Sequence, residues 1–394
     1  MKNLASVQDY MCENNIDLWL LYDFRGSNDV LWQLLGGRAF TTRRGFLAVS
    51  QSGLPRALFH AIDEPQVNAL VPDDTTFYFS RQEMSAWLQG TVKPNTTVAM
   101  EYSPLCAVPT LSIVDGGMLD VVRELGGSVV TSENLFQRAL AVWDSSALAS
   151  HRFAVEQVME TLRAALALVG SEVGNDRPLT EYKVQQFILN QFESRHLETD
   201  EVPVVSVNAN SGRPHYMPSA DVTSPIQRGD WLLIDLWARK PGNENIFADI
   251  TWVASVGGSG SEEQRKVFDI VAGARDAAVA RLQDAWKSSE PLMGWQVDDV
   301  AREFISSRGY GREFIHRTGH SIGPGQHLHA LGVNIDNFET QDTRTFLPGV
   351  GFSIEPGIYL PEFGVRSEID VYVDPEMGPT VTTPLQASIE TITL

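Results

Sequence analysis

Residues 351–373 read GFSIEPGIYLPEFGVRSEIDVYV. Two apolar runs flank a Pro/Gly-rich turn, the composition of a hairpin. Yet Glu355 closes the first run and Glu368 opens the second. An unpaired carboxylate in a buried hairpin is costly, so each must be neutralised, paired or bound to a cation. The pattern occurs twice. Residues 229–238, GDWLLIDLWA, carry Asp235, and residues 246–257, IFADITWVASVG, carry Asp249 beyond a polar loop. The paired carboxylates stand 14 residues apart in this hairpin and 13 in the other. Two matched hairpins predict a pseudo-symmetric core with four carboxylates converging at its middle. Side-chain alternation puts Asp235 with Leu233, and Asp249 with Thr251 and Val253, on faces that are largely apolar. Glu368 shares its face with Asp370 and Tyr372. Asp370 is read as a support or surface residue outside the site. A lone strand Asp is ordinarily a cap or an ion-pair partner; four in matched hairpins call for something else.

A second cluster lies in IHRTGHSIGPGQHLHALG, residues 315–332. It holds His316, His320, His327 and His329, four of the chain's eight histidines. His316 and His320 have helical ligand spacing, but Gly319 and the lack of a Glu at 317 argue against a helical HExxH site. A glycine-rich loop presenting an imidazole to hard oxygen ligands suits Mn, Co, Fe or Zn. Two such ions can share bridging carboxylates ~3.5–4 Å apart. There is no P-loop or GxSxG motif, and GGSGSE at 257–262 is a loop without dinucleotide-binding context.

Thirty basic against fifty acidic residues give a net charge of −20, which argues against a nucleic-acid footprint. No run approaches the ~18 apolar residues of a membrane span. The opening MKNLASVQDYMCENNIDLWLLYDF lacks a basic region followed by an apolar core, so no signal peptide and a cytoplasmic location are expected. The two cysteines, Cys12 and Cys106, form no CxxC and are expected unpaired and buried.

Strands are predicted over 17–23, 44–50, 55–61, 75–80, 96–102 and 127–132, with QSGLP as a hairpin turn and a helix over 116–125. This is a small α/β domain. Beyond a boundary near 142, helices are predicted over 145–171 (opened by Ser145 or Ser146), 180–196, 262–286 and 294–310.

The ordered set Asp235, Asp249, His320 in TGHSIG, Glu355 in SIEPGIY and Glu368 in VRSEID resembles the pita-bread metallopeptidases, within them the Xaa-Pro dipeptidases (prolidases) and Xaa-Pro aminopeptidases. The resemblance covers about residues 145–394. It implies an α+β chain: a pseudo-two-fold pita-bread catalytic domain over 143–394, preceded by a smaller creatinase-type α/β domain over 1–142. It implies two divalent cations, Mn foremost, with Co, Zn or Fe as alternatives. Asp235 would ligate one, His320 the other, Asp249 and Glu368 would bridge, and Glu355 would bind and act as general acid/base on a bridging hydroxide. His215, in SGRPHYMP, sits where the family places a substrate-contacting histidine. Arg366 would support the site or meet substrate, and Tyr359 lines the pocket or packs in the core. The family usually has a second histidine seven residues after the metal histidine, followed by an acid. Here His327 fits by counting and His329 by the downstream GVNID, and Leu328 and Ala330 replace the acid. His329 is preferred, and the change puts proline selectivity in question. The implied substrate is a small peptide with proline second, the implied assembly a homodimer. Two alternatives remain: a same-fold hydrolase or lyase acting on a small non-peptide substrate, and a non-enzymatic binding protein. Relatives of both kinds lose ligands, whereas all five positions are filled here.

Overall fold

A computed structural model describes residues 3–394. The chain divides into two compact units, Met1–Leu140 and Ala141–Leu394.

In the first unit a six-stranded sheet has the order Thr75–Tyr78, Arg56–His60, Arg44–Ser50, Leu18–Phe24, Thr97–Met100, Ser128–Thr131. Only Arg44–Ser50 runs against its neighbours, which is why QSGLP can close a hairpin. Buried Glu101 ties the sheet together by accepting from Trp19 Nε1 (2.8 Å), Asn28 Nδ2 (2.9 Å) and Ser132 Oγ (3.0 Å). Helices Leu4–Glu13, Asp29–Leu35 and Arg81–Thr91 add to the predicted one at Gly116–Glu124. The cysteines are free but exposed, contrary to expectation. Val7 and Met11 occupy the buried face of helix Leu4–Glu13, leaving Cys12 outside. Cys106 lies in a turn with φ 55°, on a connection that runs over the surface.

The second unit holds two four-stranded sheets. One has the order Glu390–Ile392, Ala248–Val256, Trp231–Ala238, Val204–Val207; the other Ser321–Ile322, Gly351–Ile354, Ile369–Asp374, Gly378–Val381. Helices Ser145–Gly174 and Glu181–Ser194 cover the first, packing Val158, Leu162 and Ile188 on Leu232, Ile234 and Ile250. Helices Glu262–Lys287 and Gly294–Ser306 cover the second, packing Val271, Ala274 and Val297 among Phe352, Ile354 and Val371. Because Leu232, Ile234 and Leu236 face the helices, period-two alternation turns Leu233 and Asp235 the other way, toward the second half of the unit. The N-cap of the long first helix is Asp144, which accepts the Ala147 N–H at 2.8 Å, rather than either serine. Helix Gly294–Ser306 stops short of 310 because Gly309 takes φ 90°. No described helix is long and apolar enough to cross a membrane.

Candidate metal centre

The two hairpins deliver their carboxylates by register. In the first, Asp235 pairs with Thr251 and Trp237 with Asp249. In the second, Ile354 pairs with Ile369, and the next step of the same register sets Glu355 opposite Glu368. His320 arrives on a loop laid against the Glu355 strand. Its N–H donates to Ser353 Oγ (3.0 Å), and the Ser353 N–H donates to the His320 carbonyl (2.8 Å). The approach is close enough to require Gly319, where an added Cβ would lie 2.0 Å from the Ser353 carbonyl oxygen. The other side of the loop is held by fully buried Asp298, which accepts from Thr318 N (2.9 Å), Thr318 Oγ1 (2.6 Å), Asn337 N (3.1 Å) and Arg302 Nε (2.8 Å).

His320 Nε2 lies 3.3 Å from Asp249 Oδ2 and 3.5 Å from Glu355 Oε1. Asp249, His320 and Glu368 each offer a ligand atom, all within 4.8 Å of one another. The Thr251 hydroxyl lies 3.1 Å from Asp235 Oδ1 and 2.7 Å from Glu368 Oε2 and accepts from Arg366 Nε at 2.9 Å. Having one proton, it satisfies only one of the two carboxylates. Arg366 also pairs with Asp235 and stands 3.9 Å from Glu355 Oε2.

The Arg366 guanidinium offsets Asp235, Glu355 and Glu368, and Arg317 adds its pull on Glu355. Burial, then the charges of Glu368 and Asp235, hold Asp249 well above the usual carboxylate range. Burial, then Glu355 and Asp235, do the same to Glu368. Burial raises Asp235 against the pull of Arg366 and pushes Glu355 up to about 7. Burial also holds His320 well below its ordinary value, leaving a neutral imidazole. Asp249 Oδ1 is buried and accepts no hydrogen bond. A crowd of hard oxygens, one neutral imidazole and an orphaned carboxylate oxygen fit a divalent cation.

The structure thus brings Asp235, Asp249, His320, Glu355, Glu368 and Arg366 together. The His329 ring lies 4.1 Å from that of His320, centroid to centroid; the residue is exposed on its outer side, and desolvation of its inner side with the nearby Arg317 charge lowers its pKa. His327 is outside the cluster: its side chain is 71% exposed, with Nδ1 3.6 Å from Asp200 Oδ2. His215 is exposed and makes no hydrogen bond or ion pair among the described residues.

Other residues around the centre gave little signal in the sequence. His316 Nε2 meets the Tyr359 hydroxyl at 2.8 Å, its Nδ1 held by the Arg317 carbonyl at 2.6 Å. Asp370 is fully buried rather than on the surface, because its Oδ2 accepts the Asp249 N–H at 2.9 Å. Buried His151 stands 3.9 Å behind it. Burial drives both Asp370 and His151 toward their neutral forms, so this contact is not an ion pair. Period two had already placed Asp370 beside Glu368; nothing marked Thr251 or His151.

A carboxylate–imidazole centre between two pseudo-symmetric halves defines a metallohydrolase-type architecture, and comparison with known proteins is specific about which. Residues 147–375, more than half of the chain, match the model of metallopeptidase family M24. The chain belongs to that family. It is similar to the Xaa-Pro dipeptidase of Lactobacillus helveticus, 31% identical over 166 residues, 42% of this chain and 40% of that protein. It is also similar to the Xaa-Pro dipeptidase of Pyrococcus furiosus, 33% identical over 171 residues, 43% and 44% of the two chains. This chain therefore spans less than half the length of these two relatives. The crystal structure of dipeptidase PepE from Mycobacterium ulcerans superposes with a TM-score of 0.69 at 21% identity, over 100% of this chain and 97% of that one. The architecture is α+β, with the pita-bread fold that the family resemblance implies.

Proposed function

We propose that the chain is a metal-dependent peptidase that hydrolyses Xaa-Pro bonds, in dipeptides or at peptide N-termini. The observation that carries this reading is the buried cluster of four carboxylates and neutral His320, with Asp249 Oδ1 left unsatisfied. Asp235 would hold one cation and His320 the other, with Asp249 and Glu368 shared between them and Glu355 as a further ligand. Bound there, two divalent cations (Mn in the first instance) would supply a water acidic enough to act near neutral pH and a Lewis acid for the scissile carbonyl. Glu355, in the cluster beside His320, would take a proton from that water and return it to the leaving proline nitrogen. His329, a neutral imidazole beside His320, is the favoured substrate contact, and Arg366 holds Asp235 and faces Glu355. His215 and His327 enter through the family resemblance alone. A cytoplasmic homodimer with a creatinase-type first unit belongs to the same reading.

The absence of an acid after His329, where Ala330 stands, favours a second reading: a metal-dependent hydrolase with a non-prolyl substrate. One experiment separates them. The protein is stripped, reloaded with Mn, Co, Zn or Fe, and assayed on an Xaa-Pro dipeptide, a tripeptide with proline second and a dipeptide without proline. Metal-dependent cleavage confined to the prolyl substrates supports the proposal, and their ratio separates dipeptidase from aminopeptidase. Metal binding without prolyl cleavage moves the assignment to the second reading. No metal binding removes the five-residue centre.

A further inference from the structure

His329 reaches His320 because its loop is tied down, and the tie lies outside the centre. Asp200, in ETDEVP, sits between the loop and strand Trp231–Ala238. Its Oδ2 accepts the Leu328 N–H at 2.9 Å, and its Oδ1 accepts the Trp237 indole N–H at 2.8 Å. Trp237 lies two residues from Asp235 on the same strand face. One carboxylate thus links the residue before His329 to the strand that carries a candidate ligand. His327 Nδ1 lies 3.6 Å from the same Oδ2, on the outer side. The rest of the loop is fixed nearby. Ile322 bridges to His329, Ala330 N donates to Ser321 O (3.0 Å), and Gly325 N donates to Asn243 O (2.8 Å). Leu328, 6% exposed, packs in the cluster of Trp143, Trp237 and Phe247.

We propose that Asp200 is a positioning residue: it holds His329 over the centre and so sets how tightly substrate is gripped. This inference rests on the peptidase reading for its catalytic consequence, but its geometric core does not. Both Asp200 oxygens face N–H donors, a demand that a carboxylate meets and an amide does not, since Asn would turn an NH2 toward one donor. A charge-assisted hydrogen bond lost at this point predicts a KM for an Xaa-Pro dipeptide higher by roughly tenfold to a hundredfold.

The test uses the full Mn-loaded chain and three variants: Asp200→Asn, His329→Ala and the double variant. Asp200→Asn is expected to raise KM far more than it lowers kcat and to leave calorimetric Mn affinity unchanged. The double variant is expected to be no worse than His329→Ala, because Asp200 acts through that ring. Additive losses, or a wild-type KM in Asp200→Asn, overturn the proposal. If the wild-type chain cleaves no prolyl peptide, the peptidase reading fails and the positioning claim is judged by NMR on metal-free, histidine-labelled protein. The His320–His329 inter-ring NOE should vanish in Asp200→Asn while the thermal midpoint holds. A retained NOE overturns the proposal.

Discussion

Asp249 presents one buried oxygen to nothing, while Glu368 crowds it from the other hairpin. In the cation-free protein these charges repel, so removing one should help. Glu368→Gln keeps the shape and is expected to stabilise the metal-free chain by roughly 1–3 kcal/mol, measured by urea unfolding in chelator. The same change should lower calorimetric Mn affinity by ~100-fold or more, beyond the usual effect of losing a supporting partner, and abolish turnover in parallel. Retained metal together with full turnover would falsify the ligand assignment. His151 gives a separate signature. Burial takes it from 6.5 to about 4, so between those values the native state holds fewer protons than the unfolded chain. Its contribution, roughly 3 kcal/mol, is complete above pH 6.5 and is lost as pH falls toward 4. The difference in stability between wild type and His151→Gln should shrink across that window in a pH series of denaturant melts. The candidate carboxylate ligands were legible in the sequence because a charge inside an apolar strand is anomalous, and His320 through the motif it shares with the family. Thr251 and His151 were not, since a strand threonine and a helical histidine are ordinary until their partners, far along the chain, are known.

At the scale of elements, the His320 loop depends on a helix. Asp298 satisfies three donors of the loop region and the Arg302 guanidinium from helix Gly294–Ser306. Asp298→Ala strands them, and a loss of roughly 3–5 kcal/mol is expected, with a weaker cation grip because His320 is released; thermal melts with and without Mn would read both. Gly319→Ala must part the loop from Ser353, so its expected outcome is lost metal affinity in a chain whose circular dichroism still shows the fold. Strands and long helices were legible from period and caps, Thr180 among them, which accepts the Lys183 N–H. Helices Leu4–Glu13, Asp29–Leu35 and Arg81–Thr91 were not. Asp29–Leu35, seven residues long, is fixed by Asn28 capping Leu31 and by Gly36 at φ 78°, contacts that an apolar run such as VLWQLL does not advertise.

For the second unit as a whole, each four-stranded sheet has its own helix pair, and the candidate ligands come from both. A bound cation is then a cross-link between halves that otherwise meet as like charges. Saturating Mn, at about a thousand times Kd, should add roughly 4 kcal/mol. Chelation should lower the calorimetric melting temperature and broaden one transition toward two. A sharp transition at the same temperature in chelator would count against the cross-link. The pseudo-symmetry was legible because the two hairpins space their carboxylates almost alike, 14 and 13 residues apart.

Thr251 stands where that repetition closes on itself, its hydroxyl against Asp235 from its own hairpin and Glu368 from the other. In sequence drift the two hairpins are therefore not independent records. A change tolerated by one half is tested at once by the other, and the centre should be inherited whole or lost whole.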